Sequence, residues 1–162
     1  MEDKLAASYE RQAAHGASPE LPSRFAAPGS VDNWRHDRML SCVKPLVRML
    51  PAARWLTVGD GSYGADAAYL QSCGVEVVAS SLNADSLKIA AQRGYIRKYQ
   101  QENAERLSLG DEEVDFVLCK LAFHHFPRPP IALYEMLRVA RRGLVLIEPL
   151  EGGACSTACV TW

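Results

Sequence analysis

Apolar residues recur along this chain in short runs separated by polar turns, and the period of each run predicts an element. Arg54-Trp55-Leu56-Thr57-Val58 is continuous, suits a short buried strand, and stops at Gly59. Residues 65–73 (ADAAYLQSC) predict a helix that ends before Gly74. A second strand over residues 75–80 (VEVVAS) leads to a helix over residues 84–93, with Asn83 as its cap and Gly94 as its stop. A weaker strand fits residues 97–101, and the β-branched and aromatic run VDFVLCK predicts a strong one at residues 114–120. Pro130 opens a helix to about Ala140, and LVLI at residues 144–147 is the last strand. Upstream, Trp34, Leu40, Val43, Val47 and Leu50 recur mostly at steps of three and four. They predict one helix, capped by Asp32, that runs to about Leu50 and kinks at Pro45.

Strands alternating with helices indicate βαβ units joined by right-handed crossovers. The predicted fold is therefore α/β: a doubly wound, Rossmann-like, mainly parallel sheet with helices on both faces. Residues 1–30 are rich in Ala and Ser and carry Pro19, Pro22 and Pro28, so they read as a flexible N-terminal arm. Residues 31–150 form the domain and residues 151–162 a short tail.

Composition narrows the classes without choosing one. With 162 residues, 48% hydrophobic and 23% charged, the chain has the length and core of one ordinary globular domain. A net charge of -1 gives no global attraction to nucleic acid or to an anionic membrane. No segment approaches the ~20 apolar residues of a membrane span, and the charged N-terminus lacks a signal-peptide core, which points to a cytoplasmic protein. The five cysteines form no C-x-x-C pair. Cys155 and Cys159 have no neighbouring His or further Cys, so no metal site is expected.

The candidate chemistry begins at GDGSYGAD. Gly59, Gly61 and Gly64 give G-x-G-x-x-G at the carboxyl end of the first strand, where open α/β sheets bind ligands. A nicotinamide dinucleotide site would place a carboxylate about 20 residues on, yet that position holds Ser80-Ser81-Leu82-Asn83. The turn alone leaves a dinucleotide, S-adenosylmethionine and simple helix packing all open. Asp60 either binds a ligand or caps the helix starting near Ala65, while Asp66 suits that helix's dipole and Tyr63 reads as packing.

Later segments add a resemblance. Asn103-Ala104 precedes Leu107-Ser108-Leu109 and then Val114-Asp115-Phe116-Val117, followed by LAFHHFPRP and MLRVARRGLVLIEP. Over about residues 30 to 150 this order resembles class I S-adenosylmethionine-dependent methyltransferases of the ubiquinone/menaquinone-type subgroup. The resemblance implies S-adenosylmethionine as cofactor and a small-molecule or glycan-pathway methyl acceptor. It puts Gly59, Asp60 and Gly61 around the methionine part. Ser81, with Leu82 beside it, takes the ribose position where these enzymes usually carry Asp or Glu. Asn103 and the Ala104 N–H fall at the adenine, and Lys120 near the reactive methyl. His124 and His125 are candidate general bases, neither preferred, beside the plainer reading of a loop cap and a packing residue.

Such enzymes continue after strand five with a helix and an antiparallel hairpin, for which twelve residues are too few. The expectation is a fold lacking that hairpin, with strand five as an exposed edge through which a homodimer forms. A catalytically impaired or regulatory module, binding cofactor or a partner without turnover, is the alternative.

Overall fold

The structure, a computed structural model, describes residues 2–15, 25, 27, 29–149 and 155–161. Helix α1 (Glu2–His15) comes first, then α2 (Val31–Leu40), a 3-10 turn at Ser41–Val43, and α3 (Lys44–Met49). Strand β1 (Arg54–Val58) leads to α4 (Ala65–Ser72), β2 (Glu76–Ser81), α5 (Asp85–Gln92) and β3 (Tyr99–Gln101). Then come β4 (Val114–Lys120), a 3-10 turn at Phe123–His125, α6 (Pro129–Val139), β5 (Ala140–Pro149) and β6 (Cys155–Thr161).

The described strands form one sheet in the order β3-β2-β1-β4-β5-β6. Every pair from β3 through β5 is parallel, with Trp55 opposite both Val77 and Phe116. Strand order reverses between β1 and β4, which opens a crevice at their carboxyl ends. Alternation along each strand sends side chains to two cores. Trp55, Phe116, Leu118 and Val145 meet α2 to α5 on one face. Leu56, Val117, Cys119 and Leu144 meet Ala132 and Met136 of α6 on the other. The expected doubly wound, mainly parallel sheet with helices on both faces is present.

Three expectations are corrected. Ser30, not Asp32, caps α2, its hydroxyl accepting the Asn33 N–H at 3.1 Å. The helix expected to reach Leu50 breaks at Ser41–Val43, because a proline ring cannot continue a helix behind it; Pro45 instead sits in the first turn of α3. Residues 2–15 of the expected arm are a fourteen-residue helix, while residues 16–24 lie outside the described residues.

A fourth correction concerns the sheet edge. Strand five is not exposed, because residues 155–161 of the expected tail pair with it antiparallel from Gly143↔Thr161 to Pro149↔Cys155. Ladder hydrogen bonds can be completed by a single returning strand, so the basis for a homodimer through β5 is gone. Strand β5 also reaches back to Ala140, well before the expected Leu144, because Arg141 and Arg142 keep strand geometry while pairing with Asp115 of β4.

Candidate functional site

The turn after β1 is built by one carboxylate. Asp60 is 3% exposed and accepts the Thr57 hydroxyl at 2.9 Å, the Asp66 N–H at 3.2 Å and the Ala67 N–H at 2.9 Å. These bonds satisfy the first free donors of α4 and hold the chain in its curve. Burial, and then the neighbouring Asp66 carboxylate, push the Asp60 carboxyl up to about 7.

Two of the three motif glycines are steric necessities. Gly59 has φ +78, and a Cβ there would stand 2.5 Å from the Ala122 Cβ. Gly64 has φ +67, and a Cβ would stand 2.9 Å from Ile96. Gly61 serves differently: its carbonyl accepts the Ser86 hydroxyl at 2.7 Å, which ties the turn to α5.

Two cavities flank this turn. The larger, about 420 Å³, is lined by Gly59, Gly61, Ser81, Leu82, Ala104, His125 and Phe126, with Ser8 and Arg11 of α1 at its rim. The smaller, about 240 Å³, is lined by Asn33, His36, Asp60, Asp66 and Lys120 among others. Gly59, Ser62 and Leu121 border both. Leu121 has φ +54, a left-handed conformation rare for a leucine, and it is held by its N–H donating to the Ile147 carbonyl at 2.8 Å.

The smaller cavity contains a charge cluster drawn from three parts of the chain. Lys120 Nζ, at the end of β4, lies 3.0 Å from Asp66 Oδ1, and both side chains are more than nine-tenths buried. The same nitrogen lies 3.0 Å from His36 Nδ1. Burial, and then the Lys120 charge, lower the His36 pKa, which favours a neutral ring whose Nδ1 accepts a hydrogen bond from the Lys120 N–H.

The expected site residues are thus divided. Gly59, Gly61, Ser81, Leu82 and Ala104 line the larger cavity, while Asp60 and Lys120 line the smaller one. The Asn103 side-chain oxygen accepts the Glu105 N–H at 2.9 Å within its own loop. His124 Nδ1 bonds Glu148 Oε2, and Glu148 Oε1 also accepts the N–H groups of Ala122 and Phe123. His125 borders the larger cavity, its ring 3.9 Å from that of His124.

Several residues that line these cavities escaped the sequence reading. Asp66 is an ion-pair partner as well as a helix-dipole residue, and His36 reaches the site from α2. Glu102 brings a 7% exposed carboxylate to the wall beside Ser81, whose carbonyl accepts the Glu102 N–H at 2.9 Å. Its oxygens accept the Ser108 N–H at 2.8 Å and the Gln100 amide at 3.1 Å. A Glu directly beyond a strand aligned with β2 was the available signal.

Residues 56–147 match the family described as a methyltransferase domain, a span running from β1 to β5. This chain belongs to that family. The methyltransferase domain is 29% identical to a malonyl-[acyl-carrier protein] O-methyltransferase of Pectobacterium atrosepticum over 98% of this chain and 61% of the relative. A SAM-dependent methyltransferase from Thermotoga maritima is 28% identical, with a TM-score of 0.54 over 69% of this chain and 49% of its own. The YcgJ protein of Bacillus subtilis shares the fold at 24% identity, with a TM-score of 0.63 over 70% and 51% of the two chains. The domain spans about half the length of these solved structures.

The family's cofactor is S-adenosylmethionine, and the larger cavity fits it. Its wall sets the glycine turn at Gly59 and Gly61 beside Ser81, Glu102 and Phe126, and a Cβ at Gly59 would stand 2.5 Å from the Ala122 Cβ on the same wall. Gly59 and Gly61 would hold the methionine part, Ser81 and Glu102 the ribose, and Ala104 with Phe126 the adenine. The cofactor supplies an electrophilic methyl group.

Proposed function

We propose that this chain binds S-adenosylmethionine in the larger cavity and transfers its methyl group to a small-molecule or glycan-pathway acceptor. The observation that carries this reading is the glycine turn itself, shaped at Gly59 by a positive φ and a 2.5 Å limit to Ala122 at the sheet's switch point. On this reading the chain's own groups act by placement: Asp60 fixes the turn, Ser81 and Glu102 hold one end of the cofactor, and Leu121 separates it from the smaller cavity. Bringing two reacting atoms together in this way supplies much of a methyl transfer's rate without a covalent intermediate.

Nitrogen-15 NMR of the whole chain tests it. Addition of S-adenosylmethionine is expected to move the amide signals of Gly59, Gly61, Ser81 and Ala104 in a saturable way. An unchanged spectrum, or shifts confined to another face, would overturn the reading.

Ser81 favours a second reading, a module that binds cofactor without turnover, since a serine offers one neutral oxygen where a carboxylate offers two charged ones for bidentate binding of both ribose hydroxyls. Binding without incorporation of labelled methyl into any acceptor supports this second reading, and labelled product rules it out.

A further inference from the structure

We propose that the outer side of α2 and α3 binds an anionic lipid surface, so that the protein associates peripherally with membranes. This goes beyond the methyl-transfer reading and stands without it. Leu40, Val43 and Val47 all enter the core that holds Trp55. Helix α2, the 3-10 turn and α3 therefore turn one continuous side inward and the opposite side to solvent. Over residues 31–49 that outer side is about 27 Å long, at ~1.5 Å per residue.

The outer side is partly apolar. Val31 is 82% exposed, Trp34 59% and Met49 70%. Val31 and Trp34 stand three apart and so are neighbours on α2, while Leu40 comes round to the buried side. Its charge is one-signed. Arg35 and Arg38 of α2 and Lys44 and Arg48 of α3 are all exposed, against the exposed carboxylate of Asp32, which Arg35 binds at 2.9 Å. The Arg38 guanidinium lies over the Trp34 ring, 5.0 Å from its centroid, which joins cation and indole into one surface. The net charge of -1 for the whole chain hides this segregation.

A lipid surface suits the arrangement better than a protein partner. Protein interfaces gather apolar anchors at a centre inside a polar rim. Here Val31 and Trp34 stand at one end of the stripe and Met49 at the other, with cations along the length between. A convex helical surface of this kind meets a headgroup layer. The indole and the apolar chains enter it, and the long Arg and Lys side chains reach the lipid phosphates. Tyr134 on α6 is also exposed, at 72%, but Arg138 one turn on is bound by Glu135 and Asp111, which leaves that face without surplus positive charge.

Sedimentation of the whole chain with vesicles tests the proposal. Vesicles of phosphatidylcholine alone are compared with vesicles of equal parts phosphatidylcholine and phosphatidylglycerol, at about 0.1 M and about 1 M salt. At the lower salt, binding to the anionic vesicles is expected to exceed binding to the neutral ones about tenfold or more, and at the higher salt to fall to the neutral level. Arg38→Glu with Arg48→Glu is expected to remove the anionic preference, and Trp34→Ser to weaken binding to both vesicle types. Each variant keeps its urea midpoint, because the altered side chains are exposed. A measurement on the unaltered chain fixes the face: bicelles carrying spin-labelled lipid are expected to broaden the Trp34 indole N–H signal and to leave that of buried Trp55 sharp. No preference for anionic vesicles, full binding by the charge-reversed protein, or broadening centred on another face overturns the proposal. Binding to polyglutamate without binding to vesicles assigns the stripe to an acidic polypeptide and overturns it as well.

Discussion

At the scale of single residues, Gly59 and Asp60 define the candidate site. A Gly59→Ala protein must place a Cβ at φ +78 and 2.5 Å from Ala122, so it is expected to lose about 1–2 kcal/mol from the backbone alone, with more from the contact, in urea denaturation. Asp60 predicts a pH effect. Its carboxyl is raised from 3.8 to about 7 in the fold, so the folded state holds the proton that the unfolded chain has released. Its contribution is complete below about pH 4 and is lost as the pH rises to about 7. Asp60→Asn is expected to flatten the stability profile across that window, and an unchanged slope would show the carboxyl to be ordinary. The motif glycines were legible because spacing between a strand and a helix is local information. The Lys120–His36 contact was not, because its partners stand 84 positions apart and only the fold brings them together.

At the scale of elements, α1 is the segment whose role sequence pattern obscured. Its apolar positions are sparse, and it is held by polar contacts. The Tyr9 hydroxyl donates to Glu105 Oε2 at 2.7 Å, and Arg128 donates to the same carboxylate from its Nε at 2.6 Å and its backbone N–H at 2.7 Å. Docked this way, α1 brings Ser8 and Arg11 to the larger cavity. Tyr9→Phe is expected to cost about 1 kcal/mol of local stability, read as faster hydrogen exchange in α1 with the sheet amides unchanged. Equal exchange in both proteins would mean that Tyr9 is no anchor. Elements with strong apolar periodicity, β1 through β5, were legible to within a few residues at most boundaries. Strand β6 was not, because CSTACVT lacks the bulky apolar alternation that marks a strand, and its pairing with β5 decides its conformation.

At the scale of the whole molecule, the buried Lys120–Asp66 pair links the end of the sheet to α4, and His36 extends it to α2. Removing one member strands the other charge. Lys120→Met is expected to destabilise the fold by about 3–5 kcal/mol, and Lys120→Met with Asp66→Leu to recover most of that loss in urea denaturation. Additive losses would show that the two side chains act separately. The overall architecture followed from alternating strands and helices, and the family from motifs in their proper order. The division of the site into two cavities depended on where α2 packs, which no local pattern encodes.

The central claim is that the turn after β1 holds S-adenosylmethionine, and titration calorimetry of the whole chain tests it most directly. The predicted result is saturable binding at one site per chain, weakened at least tenfold in Gly59→Ala. Absence of heat with both S-adenosylmethionine and S-adenosylhomocysteine, or equal affinity in a correctly folded Gly59→Ala protein, would contradict it.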